Sequence, residues 1–308
     1  DVDTDPLNPI YLGEWSDFYV HDGMARGDTM YVGCVYEGDL YVVDVSNKSN
    51  PQNLGNIGTP NDFTHNTWVS DNGDYVFTTD EKTDAYIGSY DITDLNNIQE
   101  VDRIQSNPGS NSIPHNVHVD GNFLITSYYR DGTVVHDITH PNNLIQVASF
   151  DSSPLSGDGF DGCWGTYPYL PSGNIISSDI NSGSGNNGRL LVYSRDFLQA
   201  CYLEGNVTDL SNSSPLTNVT IEIINSLSTI TSSTDLSGNY FSGIVYQGTY
   251  DIVFSSPGYL TDTISSTLSN GNTTVVNAQL EPLVSFNTSG MVIDINGNGI
   301  PNADILIY

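Results

Sequence analysis

Three histidines and an aspartate recur at similar intervals in the first half of the chain: His21, His65, His115 and Asp161 lie 44, 50 and 46 residues apart. Each opens a segment of one type, a short strand, a glycine-containing turn and a second strand. The four segments are VHDGMARGDTMYVGCVYEG (20–38), THNTWVSDNGDYVFTTDEK (64–82), PHNVHVDGNFLITSYYRDG (114–132) and FDGCWGTYPYLPSGNIISSDINSG (160–183). Neutral imidazole nitrogen and carboxylate oxygen are usual ligands of zinc, iron and copper, so convergence of these four residues would suit a divalent transition metal. Further polar groups accompany them: Asp80 and Glu81 at the end of FTTDE, Tyr128 and Tyr129 in the equivalent stretch of the third segment, and Asp179 in the fourth. Three residues beyond the first set stand Met24, Trp68, His118 and Trp164. Strand alternation puts them on the opposite pleat, where Trp68, His118 and Trp164 are expected to form one packing layer. Trp68, Asp80, Glu81, His118, Tyr128, Trp164 and Asp179 are the expected ligand-contacting residues.

A histidine at the start of a repeated strand has a plainer use as well, donating to a carbonyl of the neighbouring repeat and holding the two together. Both readings stand at the level of sequence. A metal-dependent enzyme would use His21, His65 and His115 as ligands, with Asp161 or Glu81 as fourth ligand or general base. Nucleophilic catalysis finds no GxSxG elbow. Cys34, Cys163 and Cys201 are far apart, form no CxxC pair and lack basic neighbours, so they read as buried small hydrophobes. His136 and His140 fall outside the repeat register and read as structural or exposed. Calcium is a second metal to consider: Asp294, Asn296 and Asn298 alternate ahead of Gly299 as in the first half of an EF-hand loop, but position 305, where the closing Glu belongs, is Ile305. An Asn-Gly hairpin turn accounts for the same residues.

The elements that must position these groups are read from a second recurring pattern. GDLYVVDVSNKSNPQNLGNI (38–57), AYIGSYDITDLNNIQEVDRI (85–104) and GTVVHDITHPNNLIQVASF (132–150) each run strand, polar turn, strand, with Asp44, Asp91 and Asp137 closing the first strand 47 and 46 residues apart. Carboxylates at such positions cap free backbone N–H groups. Four strands per unit, a period in the mid-forties and no helical pattern between them predict propeller blades, whose innermost strands line a common channel. DVDTDPLNPIYLGEWSD fits the same template with Asp1 at the marker position. The chain is therefore expected to begin inside a blade, with upstream blades and an export signal lying outside this sequence.

Residues 1–200 resemble the LVIVD-repeat β-propeller proteins of bacterial cell surfaces, through VVDVSNKSNP, FTHNTWVSDNG, FTTDE, PHNVHVDGNF and above all GFDGCWGTYPYLPSGNIISSD. The resemblance implies an exported propeller with immunoglobulin-like modules appended, and assigns no chemistry. From Cys201 aromatic content falls and short β-branched runs are broken by Gly, Pro, Asn and Ser, the pattern of a small β-sandwich. Residues 201–283 resemble the carboxypeptidase regulatory-like domain, of transthyretin-like fold, at EGNVTDLSNSSPLTNVTIEI, DLSGNYFSGIVYQGTYDIVFSSPGY and TTVVNAQLEPL. That resemblance implies a spacer without peptidase residues. SGMVIDINGNGIPNADILIY (289–308) repeats the opening of the module, so 284–308 are expected to be the first strands of a second, truncated sandwich.

Seven Lys+Arg against 37 Asp+Glu leave a formal charge of −30, which excludes a nucleic-acid binder. Contact with an anionic bilayer is disfavoured for the same reason, and no apolar run reaches membrane-spanning length. With 37% hydrophobic and 10% aromatic residues the chain is expected to fold. The expected whole is all-β: a β-propeller followed by a small Ig-like or transthyretin-like β-sandwich and the start of another. The expected role is a secreted or cell-surface, non-enzymatic structural or binding protein, such as an adhesin or a subunit of an extracellular assembly. Its partners would be an extracellular glycan, a surface, another protein or a further copy of itself.

Overall fold

The computed structural model describes residues 2–180, 187–224, 229–283 and 289–303. Every regular element among them is a β-strand. Three four-stranded antiparallel sheets follow one another in chain order. They are β1 (Asp22–Arg26), β2 (Thr29–Cys34), β3 (Asp39–Asp44) and β4 (Gln52–Gly58); β5 (Thr64–Val69), β6 (Tyr75–Asp80), β7 (Ile87–Asp91) and β8 (Gln99–Ile104); and β9 (Asn116–Asp120), β10 (Phe123–Tyr128), β11 (Gly132–Asp137) and β12 (Ile145–Phe150). A fourth sheet has β13 (Gly162–Tyr167), β14 (Ile175–Ile180) and β15 (Arg189–Tyr193). The first strands β1, β5, β9 and β13 stand side by side, each sheet laid against the next.

These four sheets are consecutive blades of a β-propeller, and their packing explains the sequence pattern. A middle strand is covered on both faces, so it carries a continuous apolar run such as Leu40–Val43, with the second blade on one face and Trp15 and Val20 on the other; the outermost β4, covered less, is mostly exposed. Tyr31, Leu40 and Val42 of the first blade meet Val69, Val76 and Tyr90 of the second. Phe77 and Ile87 of the second meet Val117, Leu124 and Val134 of the third. Asp44, Asp91 and Asp137 end the third strands, and each accepts the backbone N–H two residues on, at 2.7, 2.9 and 2.9 Å. A β-bulge precedes each of them at the same register, at Val42/Val43, Ser89/Tyr90 and Val135/His136.

Two further sheets face each other beyond the propeller. β16 (Cys201–Asp209) pairs antiparallel with β19 (Asn239–Ile244) and parallel with β22 (Thr273–Val275) and β23 (Ala278–Leu280). The opposing sheet runs β18 (Thr229–Ser233), β17 (Thr220–Ile224), β20 (Gly248–Ser255), β21 (Asp262–Leu268). Leu203, Val207, Ile221, Ile223, Ile252, Phe254 and Leu280 fill the space between them, which makes this unit a β-sandwich. The sandwich is seated directly on the third blade. Asp137 accepts the Ala200 N–H at 2.7 Å, the His140 ring lies 4.4 Å from that of Tyr202, and the Asn143 amide donates to the Ser242 carbonyl at 2.9 Å. Beneath these contacts Ile125, Val135, Val147 and Ile175 of the blades share one apolar cluster with Ala200 and Tyr202.

In the last described stretch, Asp294 accepts the N–H groups of Asn296 and Asn298, both at 2.8 Å, and Ile293 bridges Gly299. This is a tight turn whose carboxylate is engaged by its own loop. Residues 284–288 and 304–308, on which part of the expected second sandwich falls, lie outside the described residues.

Candidate functional site

The inner strands bring three of the four repeated residues together. His21 precedes β1, its N–H donating to the Gly33 carbonyl at 2.9 Å; His65 lies in β5; His115 precedes β9, its N–H donating to the Ser127 carbonyl at 2.9 Å. Ring centroids are 4.4 Å apart for His21 and His65, and 4.5 Å for His65 and His115. Gly33 makes this approach possible, since a Cβ there would stand 2.6 Å from the Thr64 carbonyl oxygen and 2.9 Å from that of His65.

Glu81 completes the cluster. It lies just past the end of β6 and turns back over the rings, with Oε2 at 3.4 Å from His65 Nε2 and Oε1 at 3.7 Å from His115 Nε2. The Tyr129 hydroxyl donates to Oε1 at 2.7 Å. On the far side of the rings, His65 Nδ1 is 3.2 Å from the His115 carbonyl oxygen, and His115 Nδ1 contacts that of Trp164. A carbonyl only accepts, so each Nδ1 carries a proton, and each Nε2 is turned toward Glu81. Burial holds the His65 imidazole below its ordinary range against the opposing pull of Glu81. Burial, reinforced by His65, pushes His115 down to about 4. Burial and the Glu81 carboxylate hold the Tyr129 phenol above its ordinary range, keeping it a donor. The ligating atoms of His21, His65 and Glu81 lie within 4.8 Å of one another.

Asp161, grouped with the histidines by spacing, points elsewhere: its Oδ2 takes a hydrogen bond and an ion pair from Arg130 at 2.7 Å. Trp164 also departs from expectation. A bulge between Cys163 and Gly165 shifts β13, so that Trp164 leaves the layer of Trp68 and His118 and lies against the His115 ring at 5.2 Å. Thr166 takes its place, with Oγ1 at 3.5 Å from His118 Nδ1. Trp68 and His118 do pack together at 4.5 Å, capped by Tyr169.

Asp80, Tyr128 and Asp179 are brought to blade interiors rather than to the histidines. Asp80 accepts from Thr59 Oγ1 and the Asn61 N–H, both at 2.6 Å, and burial pushes its carboxyl up to about 6. Tyr128 donates to the Ala85 carbonyl at 3.0 Å, and Asp179 pairs with Arg189 at 3.2 Å. Cys34, Cys163 and Cys201 are free and buried; burial pushes their thiols up to about 12, 11 and 11, far from a nucleophile's range.

Two features lay outside the repeat reading. The residue after each histidine forms a second ring of polar contacts, Asp22 Oδ2 accepting from Asn66 at 3.0 Å and Asn116 at 3.2 Å; the signal was present in the successive HD, HN and HN pairs. An unbroken run of rings also crosses the mouth of the site. Tyr36 meets Tyr19 at 5.1 Å, Tyr19 meets His21 at 6.0 Å, and past the histidines His115 meets Tyr129 at 5.1 Å and Tyr129 meets Phe160 at 5.3 Å. The outer members are exposed: Tyr36 79%, Phe160 57%, Tyr19 51% and Trp164 50%.

Residues 202–281 match the carboxypeptidase regulatory-like domain family. This domain is the β-sandwich, from the second residue of β16 to just past β23. No curated protein sequence matches the chain. Among solved structures, the minor pilin GBS52 of Streptococcus agalactiae is similar at 15% identity and a TM-score of 0.26, over 40% of this chain and 66% of the pilin. The Cps50 (Swd1) β-propeller domain of Myceliophteria thermophila is similar at 10% identity and 0.42, over 57% of this chain and 53% of that one. The periplasmic gluconolactonase PpgL of Pseudomonas aeruginosa is similar at 15% identity and 0.41, over 77% and 73%. This chain thus spans less than two thirds of the pilin and of the Cps50 domain. No helix among the described residues is long and apolar enough to cross a membrane.

Proposed function

We propose that this chain is a non-enzymatic binding protein of the bacterial cell surface. Residues 1–200 form a propeller head of LVIVD-repeat type, 201–283 a carboxypeptidase regulatory-like spacer, and 284–308 the start of a second spacer. The head's ligand is a neutral extracellular glycan taken at the mouth of the inner strands. The observation that carries this reading is the unbroken run of rings from Tyr36 to Phe160, half or more exposed at both ends and flanked by Trp164. Exposed aromatic faces set beside buried polar groups stack on the C–H faces of sugars while the polar groups take hydroxyls. The net charge of −30 favours neutral over anionic glycans.

The purified chain, applied to a glycan array holding neutral and acidic members, is expected to bind neutral members saturably. Trp164→Ala and Tyr36→Ala are expected to weaken that binding about tenfold with unchanged melting temperature. Binding of a protein partner or a second copy in place of glycan would replace the ligand class. Steady hydrolytic or redox turnover abolished by His65→Ala would reject the non-enzymatic reading.

A further inference from the structure

The channel histidines and Glu81 gather several possible ligand atoms at one point. His65 and His115 each commit the Nδ1 proton to a backbone carbonyl, of His115 and of Trp164. Their Nε2 atoms then face the two oxygens of one carboxylate, at 3.4 Å from Oε2 and 3.7 Å from Oε1. The Tyr129 hydroxyl donates to Oε1 at 2.7 Å. Ring nitrogens and carboxylate oxygens therefore converge in a largely buried pocket, a donor set of the kind that holds a transition-metal cation.

The spacing suits one ion. With metal–ligand bonds of about 2.0–2.1 Å, adjacent ligand atoms of a tetrahedral zinc stand roughly 3.3–3.4 Å apart. The His65 Nε2 to Glu81 Oε2 distance of 3.4 Å already matches, and the ligating atoms of His21, His65 and Glu81 lie within 4.8 Å of one another, so binding draws the His21 side chain inward. The surroundings follow the same logic, because imidazole ligands commonly donate their other N–H to a carbonyl and ligating carboxylates are themselves hydrogen-bonded. His65 and Glu81 have these partners in the His115 carbonyl and Tyr129.

We propose that His21, His65 and Glu81 bind one divalent transition-metal ion of the zinc type. Tyr129 is the positioning residue for the carboxylate, and the exposed His21 side gives the ion its way in. Two nitrogens and one oxygen select such a metal over calcium or magnesium, which take oxygen sets. Asp161 has no part in the site, being paired with Arg130.

The test uses the full chain without an affinity tag, stripped with chelator, then titrated with Zn²⁺ by calorimetry and with Co²⁺ by visible absorption. Saturation at one equivalent is expected, with the intense visible bands of four-coordinate Co²⁺. Glu81→Gln and His65→Ala are expected to weaken binding by at least about 100-fold, and Tyr129→Phe by about 10-fold with altered Co²⁺ bands. Because His65 is buried, His21→Ala at the exposed edge is run beside it; it is expected to keep the native thermal transition and lose the metal. Absence of saturable one-to-one binding, or binding that survives both His21→Ala and His65→Ala, would overturn the proposal, whatever the glycan array shows.

Discussion

His115 and His118 sit three residues apart at the start of the third blade, yet His115 Nε2 faces Glu81 at 3.7 Å while the His118 ring is enclosed by those of Trp68 and Tyr169 at 4.5 and 6.0 Å. One imidazole turns its Nε2 to a carboxylate; the other spends its surface on aromatic packing, with Nδ1 at 3.5 Å from the Thr166 hydroxyl. Burial lowers both, each to about 4, so titration does not distinguish them. The difference lies one contact further out, in whether a carboxylate held by a third residue waits across the gap. A buried histidine becomes a ligand candidate through its neighbours, and the pleat of one strand here supplies both kinds.

The contrast can be tested from each side. The largest effect is expected for Trp68→Ala, which empties the packing layer; it should cost about 3–4 kcal/mol in denaturant unfolding while leaving zinc titrations of the remaining folded protein unchanged. Acid comes next. The pKa of His118 is depressed in the folded state to about 4 from an ordinary 6.5, so its contribution to stability is present above about 6.5 and is lost as pH falls toward 4. That loss amounts to at most about 3 kcal/mol, and His118→Leu should make the pH 4–6.5 limb of the stability curve shallower, the buried His115 and His136 supplying the rest. Gly33→Ala should be milder, about 2 kcal/mol, since its Cβ would press on the Thr64 and His65 carbonyls; zinc affinity should fall with it, because the backbone carrying His65 must move. Tyr129→Phe removes one hydrogen bond to Glu81 and should cost about 1 kcal/mol by thermal unfolding, with the His118 layer undisturbed. If Trp68→Ala abolished metal binding, or Gly33→Ala left it untouched, the separation of the two layers would fail.

The repeat itself was legible because each blade reuses the same solution. The Asp44, Asp91 and Asp137 caps and the His21, His65 and His115 positions recur where a strand must start or stop, and a propeller turns linear period into convergence. Glu81 was visible as a polar neighbour in FTTDE, but its turn back over the histidines depends on how the chain leaves β6, which no spacing encodes. Asp161 and Trp164 were misplaced by register alone. The bulge at Cys163/Gly165 costs one residue of alternation and moves Trp164 to the other face, and Arg130, a cation from the preceding blade, draws Asp161 aside. The seat of the sandwich on the Asp137–Asn143 turn was equally hidden, because His140, outside the repeat register, read only as structural or exposed and nothing local marks Asn143.

That seat has a mechanical consequence. With Ala200, Tyr202 and Ser242 gripped by one turn of the third blade, a tug on the far end of the sandwich finds no swivel there to absorb it. It arrives as leverage on the sheet whose opening strand begins beside His115. If the sandwich serves as the proposed spacer, load along it is delivered to the blade that carries His115 rather than to a free joint.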